Sequence, residues 1–232
     1  MSDLNWDTLY TDHADAYELL VSHEDYQDNL IAAIQCLQPL AGTTVAEFGA
    51  GTGRVSGLLA GRVSRVLSFD FSTAMLRVAQ ANHWPNVSLA LADSLRMPVR
   101  AGWADFGIEG WAFLQIAVWH RQDWQVQLGR ALDDMQRAVR PGGKMILIET
   151  LGTGESRPKV EPFFRTVYNF LEAECGFASL DIRTDYCFET MEQIQSVVVP
   201  LFGQAMIERL VKTGAGWVLP ECTGLWWREV PV

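Results

Sequence analysis

The sequence predicts an α/β domain built on an open, mostly parallel, doubly wound sheet of seven strands, with an antiparallel C-terminal strand and a helical segment in front. Three observations carry this expectation. Short apolar runs alternate with stretches of helical periodicity from residue 43 onward. A glycine-rich turn joins the first apolar run to the helix after it, and acidic residues stand at the ends of three successive runs. Strands separated by helices imply βαβ crossovers and therefore parallel pairing.

The elements follow in order. Thr8–Leu37 reads as one or two amphipathic acidic helices. Strands are expected at Thr44–Phe48, Arg65–Phe69, Val87–Leu91, Asp105–Glu109 and Met145–Glu149, with helices near 54–62, 73–82 and 121–139 between them. In the third helix Leu128, Leu132, Met135 and Val139 recur at helical spacing, and Pro141-Gly142-Gly143 stops it. Leu151–Pro162, rich in Gly, Pro and charge, is expected to be a loop. Helices are expected at 163–175, 190–202 and 203–212, and strands at Leu180–Phe188 and Cys222–Val230 close the sheet with antiparallel pairing. The organisation expected is an acidic helical lid over 1–42 and one domain over 43–232, with a helical insertion at about 160–212.

Composition removes several classes. With 49% hydrophobic and 20% charged residues the chain has an ordinary globular balance, unlike disordered or collagen-like sequences. The net charge is −10, and residues 1–53 hold nine acids and no Lys or Arg. The eighteen basic residues are scattered without a block, so no nucleic-acid partner is expected. Cys36, Cys175, Cys187 and Cys222 have no short pairing; buried thiols in a reducing compartment, and no metal site, are the expectation. The N-terminus has no basic n-region followed by an apolar run, and no apolar stretch is long enough to span a bilayer. A cytoplasmic protein is expected, as a monomer or a homodimer. Nine tryptophans are many for this length, and indoles collect at cores, pockets and interfaces.

The most informative segment is Val45-Ala46-Glu47-Phe48-Gly49-Ala50-Gly51-Thr52-Gly53-Arg54. Glycines let a backbone approach a ligand closely, and the helix N-terminus beyond them offers free N–H groups. The dinucleotide fingerprint places its third glycine three residues after the second, and here that position is Arg54. Glu47 ahead of the turn repels a pyrophosphate and suits a ligand with positive charge. Asp70 at the end of the second strand can accept both hydroxyls of a ribose, and Asp93 after the third can accept from an exocyclic amine. Three acids at successive strand ends line the crevice where open α/β sheets bind ligands.

At these residues the sequence resembles the class I S-adenosylmethionine-dependent methyltransferases, which share a Rossmann-like methyltransferase fold. EFGAGTG resembles the family's first motif, SFDFSTAML its second, ADS the adenine-contacting turn, and RPGGKMILIE the approach to the fifth strand. The resemblance runs from about Val45 to Thr150. It implies S-adenosyl-L-methionine as cofactor, with Glu47, Gly49, Ala50, Gly51 and Gly53 around its methionine part and Asp70 on the ribose. Asp93 and Ser94 would meet the adenine amine, Phe71 and Met75 the adenine ring, and the Glu109-Gly110-Trp111 loop the methyl group.

Removing a proton from an O–H or N–H acceptor needs a base. His120, eleven residues beyond the fourth strand, is the candidate, and Trp111 is the candidate wall of an aromatic acceptor pocket. Tyr10 and Tyr17 resemble lid residues of the family. The chain lacks the Asn/Asp-Pro-Pro-aromatic tetrad of amino-methylating nucleic-acid enzymes and has no cysteine after the fourth strand suited to cytosine methylation. The expected activity is methyl transfer to a small-molecule acceptor, neutral or cationic. A protein side chain as acceptor, or a non-catalytic cofactor-binding role, is the alternative.

Overall fold

The computed structural model describes residues 14–232, and the structural statements below concern those residues. Tyr10 lies outside them. The expected N-terminal helices resolve as α1 (Ala14–Val21) and α2 (Asn29–Leu37). Then follow β1 (Thr44–Phe48), α3 (Arg54–Leu59), β2 (Arg65–Asp70), α4 (Thr73–Gln80), β3 (Val87–Leu91) and β4 (Ala104–Gly110). The middle of the chain holds α5 (Phe113–Trp119), α6 (Trp124–Ala138), β5 (Val139–Thr153) and α7 (Pro162–Ala173). The rest is β6 (Ala178–Arg183), β7 (Tyr186–Phe188), α8 (Met191–Phe202), a 3₁₀ turn over Gln204–Arg209, β8 (Val211–Lys212), β9 (Trp217–Leu219) and β10 (Glu221–Glu229).

Seven strands form one sheet in the order β3-β2-β1-β4-β5-β10-β6. Strands β1 to β5 pair in parallel, and β10 runs antiparallel between β5 and β6. The sheet reverses direction of growth between β1 and β4, which is where a crevice opens at the strand C-termini. Helices cover both faces. Phe113, Leu128, Leu132, Met135, Val167 and Leu171 from α5, α6 and α7 bury one face with Phe48 and Leu147. Leu30, Ile34, Val55 and Leu59 from α2 and α3 bury the other with Val45, Phe106 and Ile148. Facing layers on both sides explain why β1, β4 and β5 read as nearly continuous apolar runs.

Local signals set several boundaries. Ser72 accepts from Met75 N at 3.3 Å and so caps α4. Glu161 accepts from Phe163 N and Phe164 N at the start of α7, behind Pro162 in the first turn. Thr190 and Gln193 form a capping box on α8.

Four expectations need correction. Leu180–Phe188 is not one strand: the chain turns at Thr184-Asp185, leaving β6 in the main sheet and sending β7 into a small antiparallel sheet, β7-β9-β8. The stretch 203–212 is a 3₁₀ turn and a two-residue strand, because Gly203 ends α8 at φ 85°. Helix α5 (Phe113–Trp119) is an element missing from the expected order, between the fourth strand and the helix near 121–139. Of the four thiols only Cys222 is buried; Cys36 is exposed and the other two are half-buried. The small sheet, α8 and Leu20 of α1 share a third core around Phe188, Ile194 and Val198, which fastens α1 to the C-terminal region. No helix among the described residues is long and apolar enough to cross a membrane.

Candidate active site

Strand β1 runs into a left-handed turn in which Gly49 and Gly51 have φ of 71° and 56°. A Cβ at Gly49 would lie 2.3 Å from Ala112 Cβ, so the loop after β4 is seated directly against the turn. Asp70 closes β2 and bridges to this turn. Its Oδ2 accepts from Gly51 N and its Oδ1 from Ser72 N, both at 2.7 Å. Burial raises its pKa, while those N–H bonds pull the other way. The Phe71 N–H also bonds this carboxylate, so three of its roughly four lone-pair sites are used and one remains for a ribose hydroxyl. Beyond β3, Asp93 is exposed and uses only Oδ1, which accepts from Leu95 N at 2.9 Å.

These groups share one cleft of about 1120 Å³ at the strand C-termini. Gly49, Ala50, Gly51, Asp70, Phe71, Met75, Asp93, Ser94, Gly110, Trp111, His120 and Tyr17 all line it. Met75 is buried, whereas Phe71 is half exposed and meets Trp119 edge-on at 5.3 Å. His120 sits at the rim as the C-cap of α5, its N–H donating to Ile116 O at 3.0 Å.

Three expected cofactor residues stand elsewhere. Glu47 does not line the cleft; it is 1% exposed behind the turn, where Ser56 and Ser68 hydroxyls and Ser56 N donate to it. Burial pushes its carboxyl up to about 7 against those bonds. Gly53 backs onto the Trp84 ring, which a Cβ would meet at 2.7 Å. Glu109 is fully buried and accepts from Ala112 N, Phe113 N and Ile148 N. It thereby caps α5, together with Glu149 of β5, whose Oε1 accepts from Leu114 N at 2.6 Å. Burial raises both carboxyls, and Glu149 rises further because Glu109 is beside it.

The wall of the cleft on the β4 side is Trp111, held at φ 56°. Arg54 lies over its ring at 3.7 Å and pairs with Glu24 at 2.7 Å. Behind this wall a second cleft of about 1130 Å³ opens, sharing Tyr17, Arg54, Trp111 and Gln115 with the first. Its far side is made by Glu149 to Thr153 of β5, Phe164 of α7, Tyr186, Phe202 and Glu221. Three buried polar atoms on the two clefts have no hydrogen-bond partner among the described residues: Thr52 Oγ1, Arg54 Nη2 and Glu221 Oε2. Sequence reading singled out none of Glu24, Glu149 and Glu221. The nearest signal was Glu149 and Glu221 lying beside apolar strand residues, where an unpaired acid is rarely placed without a reason; Glu24, between His23 and Asp25 ahead of α2, carried none.

Residues 45–143 match the model of the methyltransferase domain family. The chain is 28% identical over 119 residues to a demethylmenaquinone methyltransferase of Clavibacter sepedonicus, covering 51% of this chain and 46% of that protein. It is 29% identical over 123 residues to a malonyl-[acyl-carrier protein] O-methyltransferase of Methylococcus capsulatus, covering 51% and 41%. The match thus spans about half the length, or less, of these curated relatives. A solved S-adenosylmethionine-dependent methyltransferase from Aquifex aeolicus superposes with a TM-score of 0.55 at 16% identity, covering 93% of this chain and 97% of that one. With the strand order, the turn after β1 and the acids at the next two strand ends, the chain has the fold of the solved S-adenosylmethionine-dependent methyltransferases, and its residues 45–143 match the methyltransferase domain family.

Proposed function

We propose that the protein transfers a methyl group from S-adenosylmethionine to a small-molecule acceptor, with the cofactor in the first cleft and the acceptor in the second. The observation that carries the reading is the convergence of the Gly49–Gly51 turn, Asp70 and Asp93 on one cleft that shares the Trp111 wall with another.

The residues present suit the cofactor. Asp70 is the group for a ribose hydroxyl and Asp93, with its free oxygen, for the adenine amine; Phe71 and Met75 offer apolar faces to the ring. Thr52 Oγ1 and Arg54 Nη2 are buried polar atoms available to the methionine carboxylate. The Trp111 and Tyr17 rings suit a sulfonium, since aromatic faces attract cations. When bound, the cofactor supplies an electrophilic methyl group. The chain's part is to align the acceptor with it and to exclude water, which governs much of the rate in a displacement. His120 lines only the cofactor cleft, so a role at its rim fits better than proton removal in the second cleft.

Helix α1 belongs to the lid in this reading. Its Tyr17 touches both clefts, and burial raises that phenol to about 12, so it acts as a neutral wall and donor. The second cleft is walled by Trp111, Phe164, Tyr186 and Phe202, a surface for an apolar, flat acceptor. The quinone substrate in the name of the Clavibacter relative has that character, which supports the same acceptor class here. The test is transfer of labelled methyl from S-adenosylmethionine into the small-molecule fraction of a cell extract. Label in apolar, low-mass products is expected; label only in protein would move the acceptor to a side chain.

A further inference from the structure

Glu221 opens β10, and its backbone is fixed from both sides. Its N–H donates to Asp185 Oδ1 at 2.8 Å, and its carbonyl accepts from Thr184 N at 3.1 Å. The Thr150 hydroxyl donates to Oε1 at 2.7 Å, which orients the carboxyl. Only 2% of the residue is exposed, and it stands on the wall of the second cleft but not of the first. Oε2 has no hydrogen-bond partner among the described residues. A buried carboxylate oxygen without a donor is costly, and a ligand that donates to it removes the cost.

We propose, resting on the two-cleft reading above, that Glu221 Oε2 is the anchor and proton acceptor for the methyl acceptor, and that this acceptor is a neutral, largely aromatic molecule presenting one hydroxyl. Around Glu221 the cleft offers aromatic walls from Trp111, Phe164, Tyr186 and Phe202. Arg54 is paired with Glu24, its remaining Nη2 is the donor assigned above to the cofactor carboxylate, and Lys159 is paired with Glu155, so an anionic acceptor would face the carboxyls of Glu149 and Glu221. In the transfer, the acceptor oxygen forms its bond to the methyl carbon as the methyl–sulfur bond breaks. The electron pair of that bond stays on sulfur, and the hydroxyl proton passes to Glu221 Oε2.

The surroundings make Glu221 a fitting base. Burial, with Glu24 facing it, raises its carboxyl to about 8, against the pull of Thr153, Thr150 and Arg54. Other titratable or charged groups face it from neighbouring elements: Tyr186 on β7, Tyr168 on α7, Arg183 on β6 and Asp185 in the turn beyond. Glu149 on β5 and Lys159 in the following loop complete the cleft, and Lys159 is paired with Glu155.

The test uses the full chain saturated with S-adenosylhomocysteine and two probes, 2-naphthylmethanol and its methyl ether, neither of which titrates. Affinities are read from tryptophan fluorescence. Preference for the alcohol over the ether should grow about tenfold as pH rises from about 6.5 to 9.5, since a hydrogen bond to a charged acceptor is the stronger one. In Glu221→Gln, which keeps an oxygen for Thr150, the preference should stay flat while S-adenosylhomocysteine affinity stays within about twofold. A flat preference in the unmodified protein, or the same rise in Glu221→Gln, overturns the proposal. Failure of both probes to bind while S-adenosylhomocysteine binds also overturns it and leaves the cofactor reading standing. Failure of S-adenosylhomocysteine itself to bind removes that reading and the proposal together.

Discussion

Arg54 lies over Trp111, its guanidinium carbon 3.7 Å from the ring centroid, and the pair forms the partition between the two clefts. The same guanidinium holds Glu24 at 2.7 Å, with side-chain exposures of 13% and 2%. A residue that excludes the dinucleotide spacing in the sequence thus has a structural task of its own: it ties α3 to the segment between α1 and α2.

Removing that guanidinium strands Glu24 in a buried position. Arg54→Ala should lower stability by about 3–5 kcal/mol, the usual cost of leaving one buried charge unpaired. Urea denaturation measures it. The double variant Glu24→Gln/Arg54→Met should recover part of the loss, because no uncompensated charge remains; equal losses in both variants would contradict the pairing.

Trp111 sits at φ 56°, in the left-handed region that a non-glycine residue occupies at a cost. Trp111→Gly should therefore be more stable than Trp111→Ala by about 1 kcal/mol, although both lose the same ring. Thermal unfolding of the two variants compares them, and Ala equal to or above Gly would contradict the assigned strain.

Glu47 makes stability fall as pH rises. Its carboxyl moves from 4.5 to about 7 on folding, so the folded state holds the proton more tightly than the unfolded chain. Its contribution is fully present below about pH 4.5 and is lost as pH climbs through 7, up to about 3 kcal/mol in all. Glu47→Gln should flatten this part of the stability–pH curve. An unchanged slope between those values would mean that another buried group sets it.

The glycines of the turn should respond unequally. Gly49→Ala brings a Cβ to 2.3 Å from Ala112 Cβ, whereas at Gly51 nothing lies within 4 Å of the same atom. Both variants bear the strain of positive φ, but Gly49→Ala should cost about 1–3 kcal/mol more from overpacking. Chemical denaturation decides it.

The sheet was legible in the sequence because a parallel strand buried on both faces leaves a continuous apolar run, as at Thr44–Phe48, and that run and the more exposed edge strand Val87–Leu91 both match to the residue. Asp70 and Asp93 were legible because the strand ends fix where they stand. Helix α5 was not, since its cap is supplied by Glu109 and by Glu149, thirty-five residues beyond Leu114, and no local N-cap announces it. The second cleft was illegible for a related reason. Tyr17, Arg54, Glu149 and Glu221 come from four separated elements, and only the packed structure brings them to one wall. The tryptophans divide in the same way. Trp226 reads correctly as packing on β10, against Tyr168 and with Nε1 donating to Glu172, whereas Trp84 backs Gly53, a task that nothing in its neighbours signals.

The most direct measurement is calorimetric titration of the full chain and of Asp70→Ala with S-adenosylhomocysteine, with NAD in parallel. The unmodified chain should bind S-adenosylhomocysteine saturably and show no heat with NAD, and Asp70→Ala should weaken the binding by about 1.5–3 kcal/mol through lost charged hydrogen bonds. Binding of NAD in place of S-adenosylhomocysteine, or an affinity untouched by Asp70→Ala, would contradict the assignment of the cleft.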